Sequence, residues 1–475
     1  MNARRRLRHL WLGVLLPLTG CTFGQEPQEV PHVAYRSQRE RSAEQEMLVG
    51  AWRQEIDQLV RSRQPDAAAL QLKDADVVRL LDRTEIDLAR WRVAQGYLAV
   101  GDDLRALELA RLAAVRSGDA VPEIHWVAGL AAWRHGRTEF ARHHFAALAQ
   151  AEDAHTSERA RAAFWAARAH VIAQRPQEVG RFLRIAAEDG QSFYGLLARA
   201  ALGREPLHGT PYVEPEASPA LAEAAGVRRA LALVQIGRRD LAERELRKLA
   251  GRAGPDLKAG LMALAGRLDL PAVQMRLAQS LRQREGFEHH GALYPLPSWR
   301  PADGFTLDRA LLFAVMRAES GFDPSAESHA GARGLMQVMP ATAREVAARA
   351  EIAFTAGEEL FEPVTGIMLG QAYLDQMLRR PEIDRNLMLV AVAYNAGPGR
   401  VKAWREALAL DHDPLLFLES IPLLETRIYV KKVLTNLWNY RARLGQPRPS
   451  LKALTGNHWP LYEAFDTKSE MHAWN

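Results

Sequence analysis

At 475 residues the chain exceeds what one hydrophobic core ordinarily serves, so two or three domains are expected. Its 48% hydrophobic and 25% charged residues are ordinary for a globular protein. The formal charge of +5 looks basic, but Arg4, Arg5, Arg6 and Arg8 lie within residues 1–20, and without those four it is +1, which argues against a nucleic-acid or polybasic membrane-surface binder. A single cysteine, Cys21, excludes an intramolecular disulfide and argues against a thiolate metal site. No apolar run after residue 20 has the length to span a bilayer.

Behind the arginines comes a short apolar run, Leu10 to Leu18, then Thr19-Gly20-Cys21. A basic start, a brief hydrophobic stretch and small residues before a cut describe a secretory signal. Its ending resembles a bacterial lipoprotein signal, cut before Cys21, whose thiol would receive diacylglycerol. The bland alternative is a simple signal peptide with a chance cysteine. Lipidation would anchor the protein to a membrane without spanning it. Thr22 stands where an aspartate would resemble an inner-membrane retention signal. The resemblance therefore implies a periplasm-facing lipoprotein on the outer membrane of a Gram-negative bacterium. Residues 21–45 are polar, carry two prolines and show no apolar period, and are read as a tether.

Residues 46–290 are rich in alanine, leucine, arginine and glutamate, with almost no strand-like alternation. Helix pairs recur: WVAGLAAWRHGRTEFARHHFAALA (126–149) aligns with FWAARAHVIAQRPQEVGRFLRIAA (164–187) at an offset of 38, and similar pairs turn at Gly101 and Gly237. This is the pattern of an irregular α-superhelical, tetratricopeptide-like solenoid. Trp126, Trp133, Phe145, Phe164, Trp165 and Phe182, at helical spacing, are expected to pack between repeats rather than stack on a ligand. Residues 291–301 hold YPLPSWRP, whose prolines cannot continue a helix, and mark a linker.

Beyond it lies the stretch Leu312 to Pro340, LFAVMRAESGFDPSAESHAGARGLMQVMP. Leu312, Val315, Met316 and Glu319 fall on one face of a helix, so the last member of an apolar stripe is a carboxylic acid. Desolvation there would raise its pKa, and a glutamate protonated near neutrality is a general acid. The alternative is a half-solvated Glu319 paired with Arg317 or Arg333. Gly321 ends the helix, Asp323-Pro324 sets a turn, and Gly331 and Gly334 allow close backbone approach.

The string ES-x-FDP-x-A-x-S-x-x-GA-x-GLMQ-x-MP resembles the active-site signature of the soluble-type (Slt) lytic transglycosylases. AYNAGPGRV (393–401) and IPLLETRIYVKKVL (421–434) match the same family in order, and QSFYGLLARAALG (191–203) resembles part of its helical superstructure. The resemblance implies an all-α protein: a superhelical domain followed by a goose-lysozyme-like catalytic domain at 302–445, with short strands possible around GARGLMQ and a C-terminal extension at 446–475. It also implies that Glu319 protonates the β-1,4 glycosidic oxygen between MurNAc and GlcNAc in peptidoglycan. Glu319 then takes the proton of the C6 hydroxyl of the same MurNAc as a 1,6-anhydro ring closes, without water. Ser320, Ser328, Met336, Gln337, Tyr394, Asn395 and Glu425 match substrate-contact positions of these motifs. Glu425, with Tyr429 one turn on, could equally form an ion pair with Arg427 or Lys432.

A hydrolytic muramidase would need a second carboxylate, for which Asp323, Glu327 and Glu425 are the candidates. A glycan-binding scaffold with a weak catalytic domain is the rival from another class. No cofactor is expected: His143, His144, His289 and His290 are adjacent pairs without helical zinc spacing, and no phosphate-binding glycine loop occurs. The expected partners are glycan strands, with cell-wall enzymes on the helical domain and no nucleic acid.

Overall fold

The computed structural model describes residues 35, 37, 39–204, 221, 223–286 and 289–466. The signal segment and Cys21 lie outside these. Among the described residues the chain is helical, with only isolated bridges, two of them (Glu327 to Arg333 and Arg333 to Val338) within the GARGLMQ region.

The N-terminal part begins with α1 (Ala43–Arg61), α2 (Pro65–Gln71), α3 (Ala75–Val78), α4 (Arg83–Val100) and α5 (Asp103–Ser117). It continues through α6 (Ile124–Arg134), α7 (Thr138–Gln150), α8 (Thr156–Ile172), α9 (Pro176–Glu188) and α10 (Phe193–Ala201). Further on come α11 (Ala225–Gln235), α12 (Arg239–Ala250), α13 (Pro255–Arg267), α14 (Pro271–Glu285) and the short α15 (His290–Leu293). One turn recurs. Gly101, Gly136, Gln174, Gly237 and Asp269 all have positive φ, and each stands two residues before the next helix begins. A left-handed residue reverses the chain in the shortest distance, and proline then suits the first turn at Pro176 and Pro271. The sequence offset of 38 is the spacing of Gly136 and Gln174.

Alanines let neighbouring helices approach, and the aromatics fill what remains. Trp165 is fully buried, 5.1 Å from Trp133 and 6.2 Å from Trp126 in edge-to-face contacts, with Phe145 at 5.8 Å. Phe164 meets Tyr194 and Phe182 stacks on His170. Truncating Trp165 would cost about 3–5 kcal/mol.

The expected tether is shorter than residues 21–45. Tyr35 and Ser37 donate hydrogen bonds to Asp82, Ser42 caps α1 in a reciprocal pair with Gln45, and the Arg41 guanidinium lies 2.8 Å from both Glu46 and Glu85. Glu85 is buried on α4. Its burial favours the neutral acid, but Arg41, the Asp82 amide and Ser37 outweigh that and hold its pKa down. A buried carboxylate needs these partners, so Tyr35, Ser37 and Arg41 are held against the solenoid.

The C-terminal part comprises α16 (Arg309–Glu319), α17 (Pro340–Ala350), a 3-10 turn (Gly357–Phe361), α18 (Pro363–Leu378), α19 (Leu387–Ala396), α20 (Pro398–Leu408), α21 (Pro414–Ser420), α22 (Leu424–Arg443) and α23 (Pro449–Thr455). Helix α16 is buried on nearly every side, not along one stripe, because α22 and the residues after α23 cover it. The C-terminal segment is built in. Leu387 N donates to Pro460 O, Tyr462 N donates to Arg385 O, and Asp466 binds Arg309.

The two parts meet at several places, among them α15, where Arg317 donates to Leu293 O and His290 meets Asn439. At a second, Phe193 stacks on Trp438, Tyr194 donates to Glu419, and Arg168 reaches Asp413 at 2.8 Å. At a third, Met275 of α14 lies against Gly321, and Arg276 reaches Asp323 at 3.3 Å. The solenoid therefore touches the turn that leaves the Glu319 helix.

Candidate active site

Glu319 is the last residue of α16 and is 6% exposed. Its Oε1 accepts a 2.6 Å hydrogen bond from the Tyr429 hydroxyl of α22. Burial pushes its pKa up to about 8, with a smaller upward contribution from Glu425, while Tyr429 and the Lys432 ammonium pull the other way. The acid is therefore mostly protonated at neutral pH. Neither arginine considered as its partner reaches it. Arg317 donates to Leu293 O and Asn436, and Arg333 pairs with Glu327 and Glu358. Lys432 caps the helix end at Ala318 O, 2.7 Å away.

The other carboxylates differ in kind. Asp323 accepts from the Ser325 amide and hydroxyl and faces Arg276 and Arg247. Its burial favours the neutral form, but these partners outweigh it and keep it ionised. Glu327 is exposed and held by Arg333. Glu425 is half-buried. Burial raises its pKa, an Asn395 hydrogen bond opposes that, and its Oε1 has no partner among the described residues. The ion pair considered for Glu425 does not form: Lys432 caps α16 and Arg427 donates to Glu419 O.

Glu319 sits inside a recognisable sequence unit, residues 299–409, which match the family described as "Transglycosylase SLT domain", while Glu425, Tyr429 and Lys432 lie beyond its end. The chain is 37% identical over 157 residues to the soluble lytic murein transglycosylase of Escherichia coli K12, an alignment covering 33% of this chain and 24% of that one. The chain thus spans about a quarter of the length of that curated relative. Two solved structures share the fold. The lytic transglycosylase Slt of Pseudomonas aeruginosa, solved as an inactive mutant, has a TM-score of 0.65 at 26% identity, covering 83% of this chain and 63% of that one. The 70 kDa soluble lytic transglycosylase of Escherichia coli has a TM-score of 0.72 at 24% identity, covering 87% and 65%.

The expected contact residues separate into two groups. Ser320, Met336 and Gln337 are buried, as Glu319 itself is. Ser320 Oγ donates to Leu335 O at 2.8 Å and to Met316 O, tying the end of α16 to the glycine loop. Met336 fills the space that Gly370 leaves on α18, where an added Cβ would lie 2.3 Å from its sulfur. Gln337 holds a left-handed φ of 47° and donates to Ala326 O and Gly334 O, both at 2.9 Å. Those two bonds offset a backbone strain of about 1–2 kcal/mol. Gly334 allows the close approach foreseen for it, since a Cβ there would sit 1.8 Å from Leu360 O.

The half-buried group is Ser328, Tyr394, Asn395 and, from α22, Glu425. Ser328 Oγ accepts from Ala332 N and shapes the loop. The Tyr394 hydroxyl donates to Met336 O at 2.7 Å, and its ring meets Tyr373. Asn395 joins Thr426, whose hydroxyl donates to its Oδ1 at 2.6 Å, to Glu425. Sequence reasoning paired Tyr429 with Glu425 but did not foresee its bond to Glu319; the i, i+4 spacing of Glu425 and Tyr429 on one helix face was the available signal. Lys432 and Thr426 carried none.

Elsewhere His125 and His144 meet Nδ1 to Nδ1 at 2.9 Å, and burial holds their pKa values near 4 and 3, so both are neutral. Among the described residues no group of three or more His, Cys, Asp or Glu side chains is arranged to hold a metal.

Proposed function

We propose that the protein is a peptidoglycan lytic transglycosylase that cleaves the β-1,4 bond between MurNAc and GlcNAc and leaves a 1,6-anhydroMurNAc end. The observation that carries this reading is the buried acid at the end of α16, Glu319, mostly protonated at neutral pH and hydrogen-bonded to Tyr429.

The chemistry needs two proton transfers. Glu319 gives its proton to the glycosidic oxygen as the C1–O bond breaks, and the resulting carboxylate is stabilised by Tyr429 and Lys432. It then takes the proton of the C6 hydroxyl, whose oxygen bonds to C1 and closes the ring. The acid is regenerated and no water is consumed. A hydrolase working through a second, ionised carboxylate is less well served: Asp323 is committed to Arg276 and to its own turn, and burial pushes Glu425 towards its neutral form. Glu425, with an unpartnered oxygen beside Asn395, suits accepting a hydrogen bond from an amide such as the N-acetyl group. Ser328 and Tyr394 belong to the same wall in this reading, and Ser320, Met336 and Gln337 support it from behind.

The reading extends to the whole chain as residues 46–290 holding the glycan or cell-wall enzymes and residues 302–445 cutting it. Joined to these are a linker at 291–301, a C-terminal extension at 446–475 and a lipid anchor at Cys21 that keeps the enzyme in the periplasm at the outer membrane. The names of the relatives, lytic murein transglycosylases both soluble and membrane-bound, support the activity and leave either mode of attachment open.

Mass spectrometry of muropeptides released from purified sacculi by residues 22–475 tests the reading. Products ending in 1,6-anhydroMurNAc, absent with Glu319→Gln, are expected. Reducing MurNAc ends, heavier by one water, would make the protein a muramidase. Binding without release would make it a scaffold.

A further inference from the structure

Helices α19 and α22 pack together beside the acid, and three polar side chains meet between them. Asn395, half-buried, is the last residue but one of α19, while Glu425 and Thr426 stand in the first turn of α22. Tyr429, which holds Glu319, follows Glu425 one turn on. Thr426 is the most enclosed of the three, at 1% exposed. A helical threonine often turns its hydroxyl back to a carbonyl of its own helix. This one instead donates to Asn395 Oδ1 at 2.6 Å, 31 residues away.

The direction of that bond decides what Glu425 meets. A carboxamide carries one oxygen and one NH2 group, so an oxygen held by Thr426 turns the NH2 towards Glu425. Asn395 thus donates to the Glu425 carboxyl and favours its ionised form, against the burial that raises its pKa. The titratable group that faces Glu425 from α16 is Glu319, and no cation pairs with Glu425 among the described residues. Turned over, the amide would set oxygen against oxygen, and Glu425 could meet it only as a protonated donor. The orientation of one amide therefore biases the protonation of Glu425, whose Oε1 has no partner of its own. An ionised acceptor holds an N–H roughly twice as strongly as a neutral one.

We propose that Thr426 is a positioning residue for this wall: by fixing the Asn395 amide it keeps Glu425 an ionised acceptor for the N–H of an N-acetyl sugar. The inference rests on an N-acetylated glycan being the substrate. A threonine that merely stapled α19 to α22 would serve with either end of the amide against it, since a hydroxyl both donates and accepts. What separates the two roles is the protonation of Glu425.

Calorimetry on the full chain carrying Glu319→Gln tests the proposal, with tetra-N-acetylchitotetraose as the probe. Cellotetraose, which bears hydroxyls in place of the acetamido groups, is the comparison. The N-acetylated probe should bind saturably, and cellotetraose at least roughly tenfold more weakly. Thr426→Val, which keeps the shape of the side chain and loses its hydroxyl, should weaken the N-acetylated probe roughly tenfold, and Thr426→Ser should restore it. Binding should also fade as pH drops and Glu425 takes up a proton, and in Thr426→Val that loss should begin at higher pH. No saturable binding, equal affinity for the two probes, an unweakened Thr426→Val, or equal weakening in Thr426→Val and Thr426→Ser would overturn the proposal. A loss in Thr426→Val that is the same at every pH would leave Thr426 a staple between helices and overturn it as well. In the active enzyme, Thr426→Val should raise KM more than it lowers kcat. Should wild type release no fragments from sacculi, the proposed activity fails while the calorimetry still decides the role of Thr426.

Discussion

The Tyr429 hydroxyl and the Glu319 carboxyl are 2.6 Å apart, with Tyr429 donating, so the bond stabilises the carboxylate form of an acid that burial holds near pKa 8. Tyr429→Phe removes that stabilisation. A hydrogen bond to a charged group is worth roughly 1.5–3 kcal/mol, or about one to two pKa units. The pKa of Glu319 should rise further, moving the basic limb of the pH–rate profile up by about one unit and lowering kcat about tenfold. A profile identical to wild type would mean that the bond does not tune the acid.

Glu319 also ties stability to pH. Its folded-state pKa of about 8 lies above the ordinary carboxyl value, so between those limits the folded chain keeps a proton that the unfolded chain has released. Stability therefore falls as pH rises through that window, by up to about 4–5 kcal/mol. Glu319→Gln has no proton to keep. The variant should match wild type in melting temperature near pH 5 and exceed it by several degrees near pH 8. A constant difference across that range would show that Glu319 is not the raised group.

Much of this arrangement was legible before any coordinates. The helical pairs, the αL turns at Gly101 and Gly237, the aromatic packing and the dry position of Glu319 all follow from local periodicity. What was not legible depends on contacts distant in sequence. Ser320, Met336 and Gln337 carry the motif, but their side chains turn inward because Leu335 O, Gly370 and Ala326 O lie behind them. Helix α16 shows an apolar face in sequence, yet it is buried all round because residues 462–466 return to its start. Nothing local to Arg41 announces Glu85, 44 residues away, so the last part of the tether was misread.

The joint at Glu419 gives a second pH signature, opposite in sign. Burial alone would raise this carboxyl, but Lys431 at 2.5 Å, Arg161 and Tyr194 outweigh burial and hold it at about 2. Its contribution is present above the ordinary carboxyl pKa and is lost as pH falls towards 2. Glu419→Gln leaves the buried Lys431 charge without its counter-ion, while Arg161 keeps Glu158, at a cost of about 3–5 kcal/mol near pH 7. The loss should shrink below pH 4, and limited proteolysis at neutral pH should cut sooner between the solenoid and α22. A variant as stable as wild type at pH 7 would show that Phe193 stacked on Trp438 holds the joint unaided.

Asp466 makes the corresponding bond at the start of the Glu319 helix. It accepts from the Arg309 amide, Nε and Nη2 at 2.8, 2.8 and 2.9 Å, and Arg309 is 6% exposed. Asp466→Ala takes from a buried guanidinium the carboxylate that bonds it and should cost about 3–5 kcal/mol. Glu319 lies at the opposite end of α16, ten residues and about 15 Å away, so kcat of the folded variant should stay within about twofold of wild type. The pair Arg309→Met/Asp466→Leu removes both charges, and it should recover much of the loss because an apolar pair bears no desolvation penalty. Urea melts of the three proteins together with kcat at a temperature where all are folded make the comparison. A fall in kcat that persists in the double variant would instead mean that the ion pair positions Glu319 along the helix.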